Sequence, residues 1–150
     1  MILLSPDLRA ALGANHAAHR AAQTVGAPAP DPAPLVKFFS PVGAATWLAT
    51  ELAPDGDTLF GLADLGFGCP ELGYFSLSEI ARVRLPFGLG IERDLTFAST
   101  VPLSRWADTA RRAGSILWAE QLLGLRNHPT PARADPPDPD PLPPFDKRGG

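Results

Sequence analysis

Leu35-Val36-Lys37-Phe38-Phe39 and Ala45-Thr46-Trp47-Leu48-Ala49-Thr50-Glu51-Leu52, with Ser40-Pro41-Val42-Gly43 between them, form the stretch that decides the fold. Both runs are rich in aromatic and β-branched residues and are parted by proline and glycine, so they read as two strands joined by a turn. Pro54-Asp55-Gly56-Asp57 is the next turn signal, residues 58–65 read as a third strand, and residues 72–75 as a short fourth. These connections are too short for crossover helices, which predicts an antiparallel meander rather than βαβ units.

Helices flank this meander. Ser5-Pro6-Asp7 supplies a capping serine, a proline at the first helical position and an acid in the first turn, which predicts a helix over 5–23 with Leu8, Ala11, Leu12 and Ala18 as its apolar side. Gly13 weakens that helix, and the four prolines within 25–34 end it. Ser76-Leu77-Ser78-Glu79 has the form of a capping box, with Phe75 and Ile80 at the staple positions, and opens a short helix that Pro86, Gly88 and Gly90 stop near residue 85. Residues 91–98 alternate as a strand, with Glu92, Asp94 and Thr96 on one face and Ile91, Arg93, Leu95 and Phe97 on the other. From Ser104 a second long helix is predicted to residue 124, with Trp106, Ala110, Ala113 and Leu117 on one stripe. Residues 127–150, rich in Pro and Asp, read as a disordered tail. The fold class is therefore a single α+β domain over residues 1–126: a small, mainly antiparallel sheet packed with two longer helices and one short capped helix.

Composition narrows the function. With 13 basic against 16 acidic residues, a net charge of −3 argues against a sequence-independent grip on nucleic acid, which needs a dense basic surface. A single cysteine excludes an intramolecular disulfide and a multi-cysteine zinc site. The opening Met1-Ile2-Leu3-Leu4 is too short for a signal peptide's apolar region, and no run approaches the ~20 apolar residues of a membrane span, so the expectation is a cytoplasmic protein without a membrane partner.

Most of the unusual chemistry lies between Asp64 and Asp94. Asp64, Glu71, Asp94 and Arg93 are the catalytic candidates, joined by Glu51 and Glu92, because a sheet could gather such carboxylates around a divalent cation. The simpler reading assigns Glu79 to capping, Glu92 and Asp94 to a solvated strand face, and Asp55 and Asp57 to a turn. Arg93 shares a face with apolar residues and so needs a partner, for which Glu51, Asp64 and Glu71 are candidates; alternatively it binds an anion in a cleft. Cys69 lacks a neighbouring base and reads as a small packed residue. His16 and His19, at i and i+3, read as solvated residues of a helix face rather than metal ligands, and no metal or cofactor is expected. Phe67, Tyr74 and Phe87, with Arg93, are the binding candidates; Phe67 and Phe87 sit in glycine-rich loops, where an exposed ring is most easily explained by a partner.

Lys37-Phe38-Phe39-Ser40-Pro41, Thr46-Trp47-Leu48-Ala49-Thr50-Glu51, Phe60-Gly61-Leu62, the run from Pro70 through Glu71-Leu72-Gly73-Tyr74-Phe75 to Glu79, and Gly88-Leu89-Gly90-Ile91-Glu92-Arg93-Asp94 occur in that order. Together they resemble the family called domain of unknown function 2958, over residues 4–103. The resemblance implies a small bacterial protein often carried by plasmids, phages and integrative elements, near genes for transfer, DNA handling or counter-defence. It assigns no catalytic residue, and it leaves the helix after Ser104 and the tail outside the shared part.

The preferred reading is an accessory protein of a mobile element that acts by binding a host- or element-encoded protein through the loops at 66–73 and 85–90. A small metal- or anion-dependent enzyme acting on nucleotide or nucleic-acid phosphates is the first alternative. A nucleic-acid binder using Arg105, Arg111, Arg112 and Arg126 is the second.

Overall fold

A computed structural model describes residues 2–124. The sheet has five strands, β1 (Val36–Phe39), β2 (Thr46–Leu52), β3 (Thr58–Asp64), β4 (Glu71–Ser76) and β5 (Glu92–Arg93), in the order β4-β3-β2-β1-β5 with every pair antiparallel. The predicted meander forms as expected, and β5 adds to the free side of β1. Helix α1 (Pro6–Thr24) precedes the sheet, α2 (Leu77–Arg82) follows β4, and α3 (Leu103–Ala113) and α4 (Ile116–Leu122) close the described chain.

Every residue of β2 is buried, because helices cover both faces of the sheet. On one side Val36, Phe38, Trp47, Ala49 and Leu59 meet Leu12 of α1 and Leu77 and Ile80 of α2. On the other, Leu48 and Leu62 meet Trp106, Ala107 and Ala110 of α3 and Ile116 and Ala119 of α4. Alternation along β1 to β3 thus feeds two cores, each driven by removal of apolar surface from water. One bulge adjusts the pattern: the register between β2 and β3 slips between Ala49 and Glu51, so Ala49 and Leu52, three apart, reach the same core. Gly61 stands opposite Ala49, and a Cβ there would lie 1.8 Å from the Leu48 carbonyl oxygen.

The cap of α1 forms as read, Leu8 N donating to Ser5 Oγ at 3.2 Å. Its inner side differs. Ala11 and Ala18 are exposed, while Leu8, Leu12, Asn15, His16 and His19, spaced by three or four, turn toward the sheet. Ser76 caps α2 by accepting from Glu79 N at 3.1 Å, but the rest of the expected box comes from Asp57: its backbone oxygen accepts from Leu77 N at 2.9 Å and its Oδ1 from Ser78 N at 2.7 Å. The strand expected over 91–98 stops after two residues, because Asp94 Oδ1 accepts from the Thr96 N–H and hydroxyl and turns the chain. Leu95 is consequently exposed and Phe97 joins the second core against Trp106.

The single long helix expected over 104–124 is two helices. Gly114 takes the left-handed conformation at φ 90°, and Ser115 then caps α4 by accepting from Trp118 N. The break folds α4 back beside α3 and turns Leu117 and Trp118 outward. The tail expected to be disordered lies outside the described residues.

Gly61→Ala is expected to lower the unfolding free energy by about 1–3 kcal/mol in urea titrations, because the added methyl meets backbone that cannot move alone. Gly73→Ala, where a Cβ would meet nothing within 4 Å, is expected to stay within about 0.5 kcal/mol of the parent.

Candidate functional site

The acids singled out by sequence are dispersed. Asp64 is fully buried: Oδ1 accepts from Gly66 N at 2.8 Å and Oδ2 from Ile116 N at 2.9 Å, so this carboxylate ties the end of β3 to the start of α4 and is not open to a substrate. Glu71 is exposed at the start of edge strand β4. Asp94, at the opposite edge, lies 3.5 Å from Lys37 Nζ, which donates to Glu120 Oε1 at 2.9 Å. Among the described residues no group of three or more His, Cys, Asp and Glu is arranged to hold a metal ion.

Glu51 and the histidines come together where solvated side chains were expected. Glu51 is buried, His19 Nδ1 lies 2.9 Å from its Oε2 and His16 Nδ1 3.6 Å from its Oε1, while Asn15 Nδ2 donates to the Thr50 carbonyl at 2.9 Å. The signal in the sequence was the continuation of Leu8 and Leu12 at helical spacing into His16 and His19. The cluster satisfies a buried charge beneath α1.

Arg93 Nη1 donates to the Leu3 carbonyl oxygen at 2.9 Å. Of its expected partners, Glu51 faces the histidines, Asp64 holds backbone N–H groups, and Glu71 is on the far edge of the sheet. Leu3 also lines an open groove of about 470 Å³ beside Arg84, Leu89, Ile91 and Glu92. Phe87 stands on the loop that borders this groove, 93% exposed, in a single 3₁₀ turn (Pro86–Gly88) closed by Leu89 N donating to the Pro86 carbonyl at 3.3 Å and bracketed by Leu85 N donating to the Leu89 carbonyl at 2.9 Å. Its φ is +66°, the only positive value at a non-glycine among the described residues. A bulky side chain in that region is strained, and strain of this kind clusters at ligand-contacting loops.

Phe67 and Tyr74 are also exposed, at 82% and 76%. They belong to β4 and the loop leading into it, whereas the Phe87 loop leads into β5. Four strand spacings, roughly 19 Å, separate the two edges, so the candidate aromatics form two surfaces. Cys69 is exposed rather than packed, because the loop of residues 65–69 projects past the sheet and Pro70 is the residue that buries. Arg105, Arg111 and Arg112 are exposed on α3, where Asp108 pairs with Arg112; Arg126 lies outside the described residues. Trp118, exposed on α4, was missed because the break before it was not foreseen.

Fold and surface together define an α+β protein with two cores, a sheet edge and a strained aromatic loop as its distinctive features. Residues 3–117 match the family model described as "Protein of unknown function (DUF2958)", and the chain belongs to that family. The match takes in all of α3, which the resemblance had placed outside the shared part. Neither a curated protein nor a solved structure matches the chain. No helix of the described residues is long and apolar enough to cross a membrane.

Two carboxyls hold the turn between β2 and β3, Asp55 within the turn and Asp57 across to the start of α2. Backbone and side-chain hydrogen bonds from Thr58, then the Asp57 N–H, lower Asp55 to about 2, and hydrogen bonds from Ser76 and Ser78 lower Asp57 as well. Depressed carboxyl values stabilise the fold above the ordinary carboxyl range, and that contribution is lost as pH falls through the folded values. Urea midpoints are therefore expected to decline between pH about 4 and about 2, with Asp55→Asn flattening the decline; an unchanged slope would remove Asp55 from this role.

Proposed function

We propose that this protein is a non-enzymatic accessory factor of a mobile element that acts by binding a host- or element-encoded protein, with the Phe87 loop as the principal contact. The observation that carries the reading is a phenylalanine 93% exposed at φ +66°. The strained backbone lowers stability and the exposed ring gains nothing from burial in the fold, whereas a partner that takes the ring into a pocket supplies that burial. The adjoining groove, with Arg84 on its wall and Leu3 within it, offers the polar rim and apolar floor of a protein contact. The enzyme alternative draws less support, since Asp64 is committed to backbone and Glu71 and Asp94 stand at opposite edges. A role in DNA transfer or counter-defence is part of the same proposal and rests on the family's setting.

The test is affinity capture of the tagged chain from a bacterial lysate, with and without nuclease, using Phe87→Gly. Glycine relieves the positive φ, so this variant is expected to be at least as stable as the parent, by up to about 1 kcal/mol. Recovery of a nuclease-resistant partner is expected to fall at least about ten-fold, the loss of a hot-spot contact. Nucleic acid alone, or a partner retained in full by Phe87→Gly, would contradict the proposal.

A further inference from the structure

The two edges of the sheet are built differently. β5 is two residues long and both are charged, which is how natural sheets blunt an edge. β4 is six residues long and pairs with β3 without a bulge from Thr58↔Ser76 to Ala63↔Glu71. It carries no lysine and no proline, and its only charge is Glu71 at the first position. Among the described residues no strand lies on its outer side. An outer row of N–H and C=O groups selects another extended strand.

The side chains of β4 say which strand fits. Leu72 stands opposite Leu62 and Tyr74 opposite Phe60, so both lie on the sheet face of the second core. Tyr74 is 76% exposed although its ring packs on Phe60 with centroids 5.0 Å apart. We propose that β4 pairs antiparallel with β4 of a second copy of this chain, about a twofold axis at Gly73, joining two five-stranded sheets into one. Residues facing each other across such a pair must share a sheet face, which this register satisfies. Leu72 then meets Tyr74 of the second copy and Tyr74 its Leu72, an aliphatic–aromatic pair formed twice. Each Glu71 faces a Phe75, so the like charges end up at opposite ends of the strand pair. At the axis Gly73 meets Gly73, where a Cβ would find nothing within 4 Å and the backbones can approach. This surface is at the opposite edge from the Phe87 loop and stands independently of it.

The chain's only cysteine, Cys69, is exposed four residues before Gly73 and takes a nitroxide label without other changes. In the proposed dimer the two labels are eight residues apart along the strand axis, about 27 Å at ~3.4 Å per residue. Sedimentation of the full chain is expected to show a concentration-dependent dimer, with a spin–spin distance near that value. Both signals are expected to disappear in Tyr74→Lys and in Leu72→Lys, each checked for an unchanged circular-dichroism spectrum. A chain that stays monomeric at all concentrations overturns the proposal, as does a dimer whose label distance differs or survives in a folded variant. An extended segment of another protein as the true occupant of this edge gives the monomeric outcome.

Discussion

The second layer of this protein hangs on one carboxylate. Asp64 has no exposure to water, and its two oxygens accept backbone N–H groups from Gly66 and Ile116, so both are hydrogen-bonded within the fold. Removing one partner of such a buried charge leaves the other groups desolvated and unpaired, which is why the interaction fixes geometry so firmly. α4 has only seven residues, too few for a helix to persist unaided. Asp64 anchors its first N–H, Ile116 and Ala119 bury against the sheet, and Lys37 holds Glu120 near its end. With α4 and α3 in place, β2 is sealed on both faces and the sheet becomes the middle of three layers.

Burial of the centre leaves the accessible side chains at the periphery. The titratable groups that sequence made attractive are largely consumed in holding elements together: Asp64 for α4, Asp57 for α2, Glu51 for α1 and Lys37 for the β5 side of the sheet. The exposed aromatic rings near the two sheet edges are Phe87 beside β5 and Tyr74 and Phe67 beside β4.

Much of the architecture was legible because local chemistry and global fold agree. Residues 35–52, the turn at Asp55 and the serine caps at positions 5 and 76 each carry a signal with a local cause, and each formed. The failures share a different cause. Gly114 can sit inside a weakened helix or end one, and only the packing of α4 on the sheet decides for the end. Asp94 could continue a strand or turn it, and its bonds to Thr96 decide for the turn. His16 and His19 look solvated until α1 is laid on Glu51, and Asp64 looks available until Ile116, 52 residues on, donates to it. Apart from the Asp94 turn, which closes only two residues on, each is a contact between distant residues that no local pattern encodes. The exposure of Phe67 and Phe87 was legible, since glycine-rich loops have no core to offer a ring; the strain at Phe87 was not, because Pro86 and Gly88 leave the backbone of the residue between them undetermined.

Native-state amide hydrogen exchange on the full chain, read residue by residue, tests the dependence on Asp64 most directly. The Ile116 N–H is expected to exchange as slowly as the amides of β2, opening only with global unfolding, although it begins a seven-residue helix near the end of the described chain. An Ile116 amide that exchanges as fast as those of the exposed loop at residues 65–69 would contradict the account.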